Sequence, residues 1–245
     1  RKESSAASDV YKRQELNIGP AEFSILASSY NFSAAVVGFL YSALADKYNR
    51  KSLLNFLVVG LAVSTILCGM ATNYNFLLTT RIIAGMFGGI INPVIYAIIA
   101  DIIPEIRRGK AVGTVMTSFS ITSIIGIPIG LAIADYSSWR YSFYLIGVGS
   151  LFMAAIQSIV LPNLPVMVTK LDLKDNFKRL LKIIITARHQ LPFSVMILFT
   201  CAGFMIFPFL GPYVVKNIGL PETDLKFIYL IGGLFTVFAS RFVGI

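Results

Sequence analysis

Long apolar stretches alternate with short polar segments along most of the chain. Seven such stretches run for roughly 18 to 25 residues each, the length that an α-helix needs to cross about 30 Å of hydrocarbon. They lack the strict apolar and polar alternation of barrel strands, so they predict membrane-spanning helices. The predicted spans are residues 22–45, 53–71, 76–100, 111–134, 140–161, 191–215 and 226–245.

Composition also indicates that this chain lies in a lipid bilayer. Hydrophobic residues make up 56% of the chain and charged residues 13%, which leaves too little polar surface to cover a soluble domain. The formal net charge of +9 comes from basic residues that lie between the apolar stretches, which argues against nucleic acid as a partner and for a lipid bilayer. Cys68 and Cys201 lie inside separate stretches, lack metal-ligand spacing and are predicted to be buried core thiols.

The basic residues also predict an orientation in the membrane. Loops 46–51, 101–110 and 162–190 hold twelve Lys and Arg residues, whereas the loops on the alternate side hold three. Because cytoplasmic loops carry the positive excess, the long loop is expected in the cytoplasm. The chain then enters its first span from outside and ends in an apolar run, so we expect an earlier span and a later part to be missing. Trp139 and Tyr141 suit the aromatic belt of a membrane interface.

The loop between the first two predicted spans carries a specific pattern. Residues 42–51 read S-A-L-A-D-K-Y-N-R-K, which resembles the signature loop of the major facilitator superfamily, Gly-x-Leu-Ala-Asp-Arg-x-Gly-Arg-Arg/Lys. Ser42 and Asn49 stand at its two glycine positions, and Asn is expected there because it tolerates left-handed backbone geometry. The resemblance implies a cytoplasmic gating loop that latches helix ends together, and an ordinary positive-inside loop is the alternative. The gating residues would be Ser42, Asp46, Asn49, Arg50 and Lys51.

An arginine, Arg81, lies inside the third predicted span. It opens the run R-I-I-A-G-M-F-G-G, which resembles a second signature of the same family, Arg-x-x-x-Gly-x-x-Gly/Ala. A charge in lipid is costly, so Arg81 is predicted to face a cavity or an acidic partner and to act in coupling; snorkelling to the interface is the alternative. Gly85 and Gly88 have the spacing of helix packing. At the end of this span, Asp101 is predicted to pair with Arg50 or to be a solvated charge.

Polar groups and a proline follow in the same span. Asn92-Pro93 and Tyr96 predict a helix break near mid-membrane, where an unwound carbonyl or the asparagine can face substrate. A packing kink with an interhelical hydrogen bond explains the pattern equally well. The residues predicted to face a substrate cavity, each of which is otherwise a packing residue, are Tyr30, Asn31, Asn92, Tyr96 and Phe204.

The fourth predicted span contains a glycine and proline pattern. Residues 126–130 read G-I-P-I-G and W-R-x-x-F follows at 139–143, a combination that resembles the efflux branch of the superfamily, which includes proton antiporters. The match to the fuller glycine motif of that branch is incomplete. Pro128 removes one backbone donor, and Gly126 and Gly130 allow close contact, so we expect a bend against a neighbouring helix.

The resemblance covers residues 15–245 and implies the second through eighth of twelve helices. The expected fold is therefore an incomplete all-α, polytopic transmembrane bundle of the major facilitator type. Residues 1–14 resemble a translated sequencing adapter and are expected to be a non-native or disordered tail. An N-terminal bundle that lacks its first helix is expected over 15–161, a basic linker over 162–190, and the start of a C-terminal bundle over 191–245.

The resemblance also implies a function. It predicts a secondary transporter that moves a small solute by alternating access, through proton-coupled efflux, as a monomer in a bacterial inner membrane. No catalytic constellation or phosphate loop stands out, so we expect neither an enzyme nor a cofactor. No Asp or Glu lies in the middle of a predicted span, so the proton-carrying residue is expected in a missing part. The alternative, since seven spans are predicted, is a seven-span receptor that binds without transport.

Overall fold

The chain folds as a series of α-helices. The computed structural model describes residues 19–42, 49–162 and 185–221, with residues 178, 182, 183, 228, 231, 232 and 235. The helices are α1 (Pro20–Ser42), α2 (Arg50–Gly69), α3 (Tyr74–Ile102), α4 (Glu105–Ile121), α5 (Ile127–Tyr136), α6 (Trp139–Val160) and α7 (Ala187–Tyr213). Two five-residue π-helical turns, Thr122–Gly126 and Val214–Ile218, follow α4 and α7. The described residues include no strand, and the all-α prediction is confirmed.

Four of these helices are long and apolar enough to cross a membrane, namely α1 over Ala21–Tyr41, α2, α3 and α6. They match the spans that the sequence predicts at 22–45, 53–71, 76–100 and 140–161. The predicted span 111–134 is divided among α4, a π-helical turn and α5, and the span 191–215 falls largely in α7. Most of the predicted span 226–245 lies outside the described residues.

Polar side chains fix the first residue of several helices. Asn49 Oδ1 accepts hydrogen bonds from the backbone amides of Lys51 and Ser52, at 3.0 and 3.3 Å, and so caps α2. Asn73 caps α3 in the same way, through the amide of Phe76 at 2.8 Å. Each cap satisfies an amide donor that the first turn of a helix leaves unpaired.

The cap corrects the prediction for the backbone of Asn49. Its φ of −59° and ψ of 118° are extended, a conformation that any residue adopts. The expected left-handed geometry is therefore wrong. Asparagine, at a glycine position of the motif that this loop resembles, caps the helix through a side-chain oxygen that glycine lacks.

Arginines stabilise the C-terminal ends of two helices. Arg140, in the first turn of α6, donates from Nη1 to the carbonyl of Ala71, just beyond α2, at 2.6 Å. Arg108 reaches back from α4 to the carbonyls of Ala100 and Ile103, at 2.8 and 3.0 Å, at the end of α3. A cation is favourable at these positions because the last carbonyls of a helix have no amide partner within it.

Two clusters of buried apolar residues hold α1, α2, α3 and α6 together. The cluster nearer the junction of α2 and α3 comprises Leu26, Cys68, Ala71, Leu77 and Trp139. The other, nearer the opposite end of the bundle, comprises Tyr41, Leu54, Leu57, Ile90, Val94 and Ile98. Trp139 is only 3% exposed, so its predicted place in an interfacial aromatic belt is wrong. Its ring packs among helix ends inside the bundle, whereas Tyr141 is exposed.

Helix α1 packs against α3 through residues that have little or no side chain. A Cβ added at Gly85 would collide with the carbonyl of Tyr30, and one added at Gly89 would collide with the backbone of Ala34. On the facing side, a Cβ at Gly38 would lie 3.1 Å from the carbonyl oxygen of Gly89. Small residues let two membrane helices approach backbone to backbone, which is the main source of contact energy where lipid removes the hydrophobic effect.

Pro93 lies inside α3 without ending it. The helix is continuous over Tyr74–Ile102, so the predicted break near mid-membrane is wrong. Proline removes the amide that would bond to the carbonyl four residues earlier, which is that of Gly89. This carbonyl lies beside Gly38 of α1. The helix contact therefore covers the group that has lost its hydrogen-bond partner, and α3 tolerates the proline.

The π-helical segment Thr122–Gly126 immediately precedes α5, the helix that contains Pro128. Pro128 lies in the first turn of α5, where a missing backbone amide costs least because it would have no partner within the helix. The expected close contact through the flanking glycines is wrong for the described residues. A Cβ at Gly130 meets no atom within 4 Å, and one at Gly126 meets only Thr122 of its own turn, at 3.2 Å. The link from α5 to α6 is instead a hydrogen bond from Ser142 Oγ to the carbonyl of Gly130, at 3.0 Å.

Helix α7 exposes most of its described side chains. Cys201 on this helix is exposed, whereas Cys68 is buried. The prediction of a core thiol is therefore right for Cys68 and wrong for Cys201. Sequence could not separate the two because lipid-facing and core positions of a membrane helix are equally apolar. The helix begins at Ala187, inside the range predicted as a linker, 162–190.

Candidate functional site

Arg50 and Asp101 form an ion pair where α2 begins and α3 ends. Arg50 Nε lies 2.5 Å from a carboxylate oxygen of Asp101, and the two side chains are 18% and 29% exposed. The pair joins the first residue of α2 to the last turn of α3, which is the contact that the sequence predicts between these residues. Surface ion pairs contribute about 0–1 kcal/mol, and partial burial places this pair toward the upper end because solvent screens it less.

The other predicted gating residues are distributed around this pair. Asn49 caps α2 beside Arg50, and Lys51 is half-buried in the same turn. Ser42 is the last residue of α1, and Asp46 lies outside the described residues. The structure therefore brings the capped N-terminus of α2 and the acidic C-terminus of α3 together at one end of the bundle.

Arg108 adds a second contact between helices at this end, whereas the sequence predicts it only as one of the basic residues of loop 101–110. Besides its bonds to the last carbonyls of α3, its Nη1 lies 3.5 Å from Glu105 Oε1. The cation therefore folds the first turn of α4 back onto the end of α3. A basic residue in the first turn after a very short connection was the available signal, because such a residue reaches the preceding helix end.

Arg81 lies inside the bundle, far from this ion pair. It is seven residues from the first residue of α3, or about 10 Å along the helix axis, and twenty residues from Asp101, or about 30 Å. Its Nε donates to the carbonyl of Leu26 at 3.4 Å, and its Cζ lies 5.5 Å from the ring centroid of Tyr30. Both partners belong to α1. Among the described residues, no carboxylate pairs with this guanidinium.

The residues predicted to face a substrate cavity are not gathered in one place. Tyr30 contacts Arg81 between α1 and α3 and is half-buried, while Asn31 beside it is exposed. Asn92 is exposed and Tyr96 is half-buried, and both are further along α3, where Asn92 is about 16 Å from Arg81 at 1.5 Å per residue. Phe204 lies in α7.

An apolar cavity of about 710 Å³ lies among α1, α2 and α3, and no sequence pattern predicts it. Its walls are mostly aliphatic and aromatic, with Asn49 and Ser52 at one end, so it suits an apolar group rather than an ion. An apolar residue that lines a cavity has the same sequence signature as one packed against a helix. The wall residues include Val37, Tyr41, Phe56, Phe87 and Ile90.

Metal chemistry has no candidate site in the part of the chain that the structure describes. No group of three or more His, Cys, Asp or Glu side chains comes together there. The charged groups at the candidate site are two ion pairs at one end of the bundle, Arg50–Asp101 and Arg108–Glu105, and Arg81 between two membrane helices.

Comparison with known proteins identifies the family. The sequence profile of the Major Facilitator Superfamily matches residues 4–245. Multidrug resistance protein 3 of Bacillus subtilis (strain 168) is 34% identical over 134 residues, which are 54% of this chain and 26% of that protein. The uncharacterized MFS-type transporter YceJ of the same organism is 24% identical over 217 residues, which are 88% of this chain and 55% of that protein.

A solved structure has the same helical fold. A bacterial homologue of the human lysosomal transporter Spinster, in an inward-facing and unoccupied conformation, superposes with a TM-score of 0.64 at 17% sequence identity. The match covers 92% of this chain and 54% of that protein. The chain thus spans about half or less of the length of these relatives. With the family profile matched over nearly its whole length, the chain belongs to the major facilitator superfamily.

Proposed function

We propose that the protein is a secondary transporter that moves a small solute across a bacterial inner membrane by alternating access, in proton-coupled efflux. The observation that carries this proposal is Arg81, a cation held between two membrane helices about 10 Å inside one of them. A charge at such a position is costly in lipid and marks a solute or ion pathway by default. Family membership supports the same class of function.

Efflux and proton coupling have separate support. The similarity to a multidrug resistance protein favours outward movement of drug molecules. Proton coupling needs a group that titrates within the membrane, and Glu22, Asp101 and Glu105 all lie in the first or last turn of a described helix. None of these three carboxyl groups is therefore proposed as the proton carrier. The proposal assigns this role to the part of the relatives' length that the chain does not cover. It places the basic loop 162–190 in the cytoplasm and the transporter in the membrane as a monomer.

The direct test is solute flux into sealed vesicles that contain the complete protein. Ethidium, a fluorescent lipophilic cation, serves as the probe, and a pH gradient is imposed across the vesicle membrane. We expect ethidium to accumulate and an uncoupler to abolish accumulation. Accumulation that resists the uncoupler would remove proton coupling, and binding of the dye without movement would favour the receptor alternative.

The ion pair at the bundle end provides a second test, based on charge reversal. If Arg50 and Asp101 hold one conformation of the transporter, Arg50→Asp or Asp101→Arg turns attraction into repulsion and changes the balance between conformations by roughly 1–2 kcal/mol. We expect either single variant to lower the initial transport rate about tenfold, and the double variant to recover it to within about threefold.

The control for charge reversal is Arg107→Asp, which changes an exposed arginine on the same end of the bundle. We expect this variant to transport at the unmodified rate. The gating interpretation is wrong if the double variant is as slow as the product of the two single effects, because the two charges would then act independently.

A further inference from the structure

We propose that Tyr30 is the positioning residue of Arg81, and that the Arg-x-x-x-Gly-x-x-Gly run of α3 is the packing site of this tyrosine. The proposal deepens the transport function given above and rests on it. It also changes the interpretation of Tyr30, which the sequence suggested as a residue that faces the substrate.

All three fixed positions of the run contact Tyr30. The guanidinium carbon of Arg81 lies 5.5 Å from the centroid of its ring. A Cβ added at Gly85 would collide with the carbonyl oxygen of Tyr30, and one added at Gly88 would collide with its phenol oxygen. Positions 81, 85 and 88 are spaced by four and three residues, so they share one face of α3. Tyr30 spans this face, and the absence of side chains at the two glycines makes room for it.

The backbone of Tyr30 is fixed in the same place. Its carbonyl accepts a hydrogen bond from Ser33 Oγ at 3.0 Å, and Ser33 is itself buried. The ring cannot move toward α3 because Gly88 already lies against the phenol, and the chain beneath it cannot move because Gly85 lies against the carbonyl. Packing therefore fixes the position of the tyrosine, whereas the arginine side chain beside it is long and flexible.

The fixed ring of Tyr30 determines where the guanidinium of Arg81 lies. The second contact of Arg81, with the carbonyl of Leu26, is long at 3.4 Å and comes from the residue one helical turn before Tyr30. An arginine next to an aromatic face gains cation–π attraction, which strengthens away from water. Both contacts belong to α1, so a movement of α1 relative to α3 changes the surroundings of the guanidinium. Tyr30 thereby couples helix movement to the one cation that we place in the transport pathway.

The test uses the complete transporter in vesicles, with ethidium as the probe. We expect Tyr30→Leu to lower the maximal rate at least tenfold and to change the KM for ethidium by less than threefold, because the cation loses its position rather than the solute its site. Tyr30→Phe keeps the ring and should restore at least half of the rate. Phe32→Leu is the matched control, since this aromatic residue on α1 is 73% exposed, and it should transport normally.

A double variant tests whether Gly88 and Tyr30 act through one shared packing site or through two unrelated contacts. Gly88→Ala should be as slow as Tyr30→Leu because its methyl group displaces the phenol, and Tyr30→Leu with Gly88→Ala should be no slower than Tyr30→Leu alone. Multiplied effects would overturn the proposal, and so would Tyr30→Phe as slow as Tyr30→Leu.

A measurement that needs no transport separates this inference from the proposed function. Phenylglyoxal modifies arginine side chains, and mass spectrometry of the peptide that contains Arg81 gives its rate of modification. We expect the rate at Arg81 to rise at least threefold in Tyr30→Leu and to stay within a factor of 1.5 in Tyr30→Phe and Phe32→Leu. Equal rates in all variants would overturn the positioning role. If the unmodified protein moves no ethidium but the labelling result holds, only the proposed function fails.

Discussion

Replacing Gly89 by leucine is expected to prevent stable assembly of α1 against α3. A Cβ at this position would collide with the Cα and the carbonyl of Ala34, which are backbone atoms that cannot rotate away. The two helices must separate to admit the side chain, and overpacking of this kind costs about 1–3 kcal/mol, or more when backbone has to move. Size-exclusion chromatography of the detergent-solubilised protein should show at least a tenfold loss of the monodisperse fraction.

Two further glycines test whether the collision is the cause. Gly149→Leu places the same side chain on α6, at a position with no atom within 4 Å of an added Cβ, and should leave the monodisperse fraction unchanged. Gly60→Leu should have an intermediate effect, since an added Cβ there lies 2.5 Å from the ring of Phe87, a side chain that can change rotamer. Equal losses at all three positions would show that glycine itself, rather than the helix contact, is what stability requires.

The spans could be predicted because the bilayer sets their length. Apolar runs of about 20 residues have one stable solution in lipid, a continuous helix, and α1, α2, α3 and α6 all follow it. Prolines were less predictable. Pro93 suggested a break, yet α3 continues through it because α1 covers the freed carbonyl. Such a compensation involves another helix, so no local pattern could reveal it.

Sequence motifs single out residues of the candidate site, but they do not identify the partners of those residues. The sequence singles out Arg81, Gly85 and Gly88. Tyr30, which contacts all three, is more than 50 positions away in the chain. A single sequence does not indicate which helix faces pack against each other. Asn49 shows a second limit. An asparagine near a helix start serves either as a cap or as a left-handed residue, and which one depends on the residue at which α2 begins.

Arg140 and Trp139 show how the same limit affects aromatic and charged side chains at helix ends. The sequence pattern predicts an interfacial ring for Trp139, and it predicts no partner for Arg140. In the structure, Arg140 bonds the carbonyl of Ala71 beyond α2, and its guanidinium carbon lies 4.9 Å from the ring centroid of the buried Trp139. Both residues join α6 to α2 because α6 begins beside the end of α2, and that proximity is a property of the tertiary fold.

Arg81→Ala in the complete transporter is expected to abolish transport, with at least a hundredfold loss of ethidium flux, while leaving insertion and folding intact. The two effects separate because of what surrounds the guanidinium. Among the described residues its contacts are a helical carbonyl and an aromatic ring, so removing the cation leaves no buried charge without a partner. A neutral residue is also cheaper than arginine inside a membrane span.

Comparison of three variants then assigns the role of this cation. Arg81→Lys keeps the charge but loses the planar group that lies beside the Tyr30 ring, so we expect a loss of about tenfold, between that of the alanine variant and the unmodified protein. Arg107→Ala, at an exposed position on α4, serves as the matched control and should transport normally. Flux is measured per mole of monodisperse protein, so that a folding defect is not counted as a transport defect. Normal flux in Arg81→Ala would show that the arginine has no part in transport and that its place between α1 and α3 is structural, in which case Tyr30 would position a residue that the transport cycle does not use.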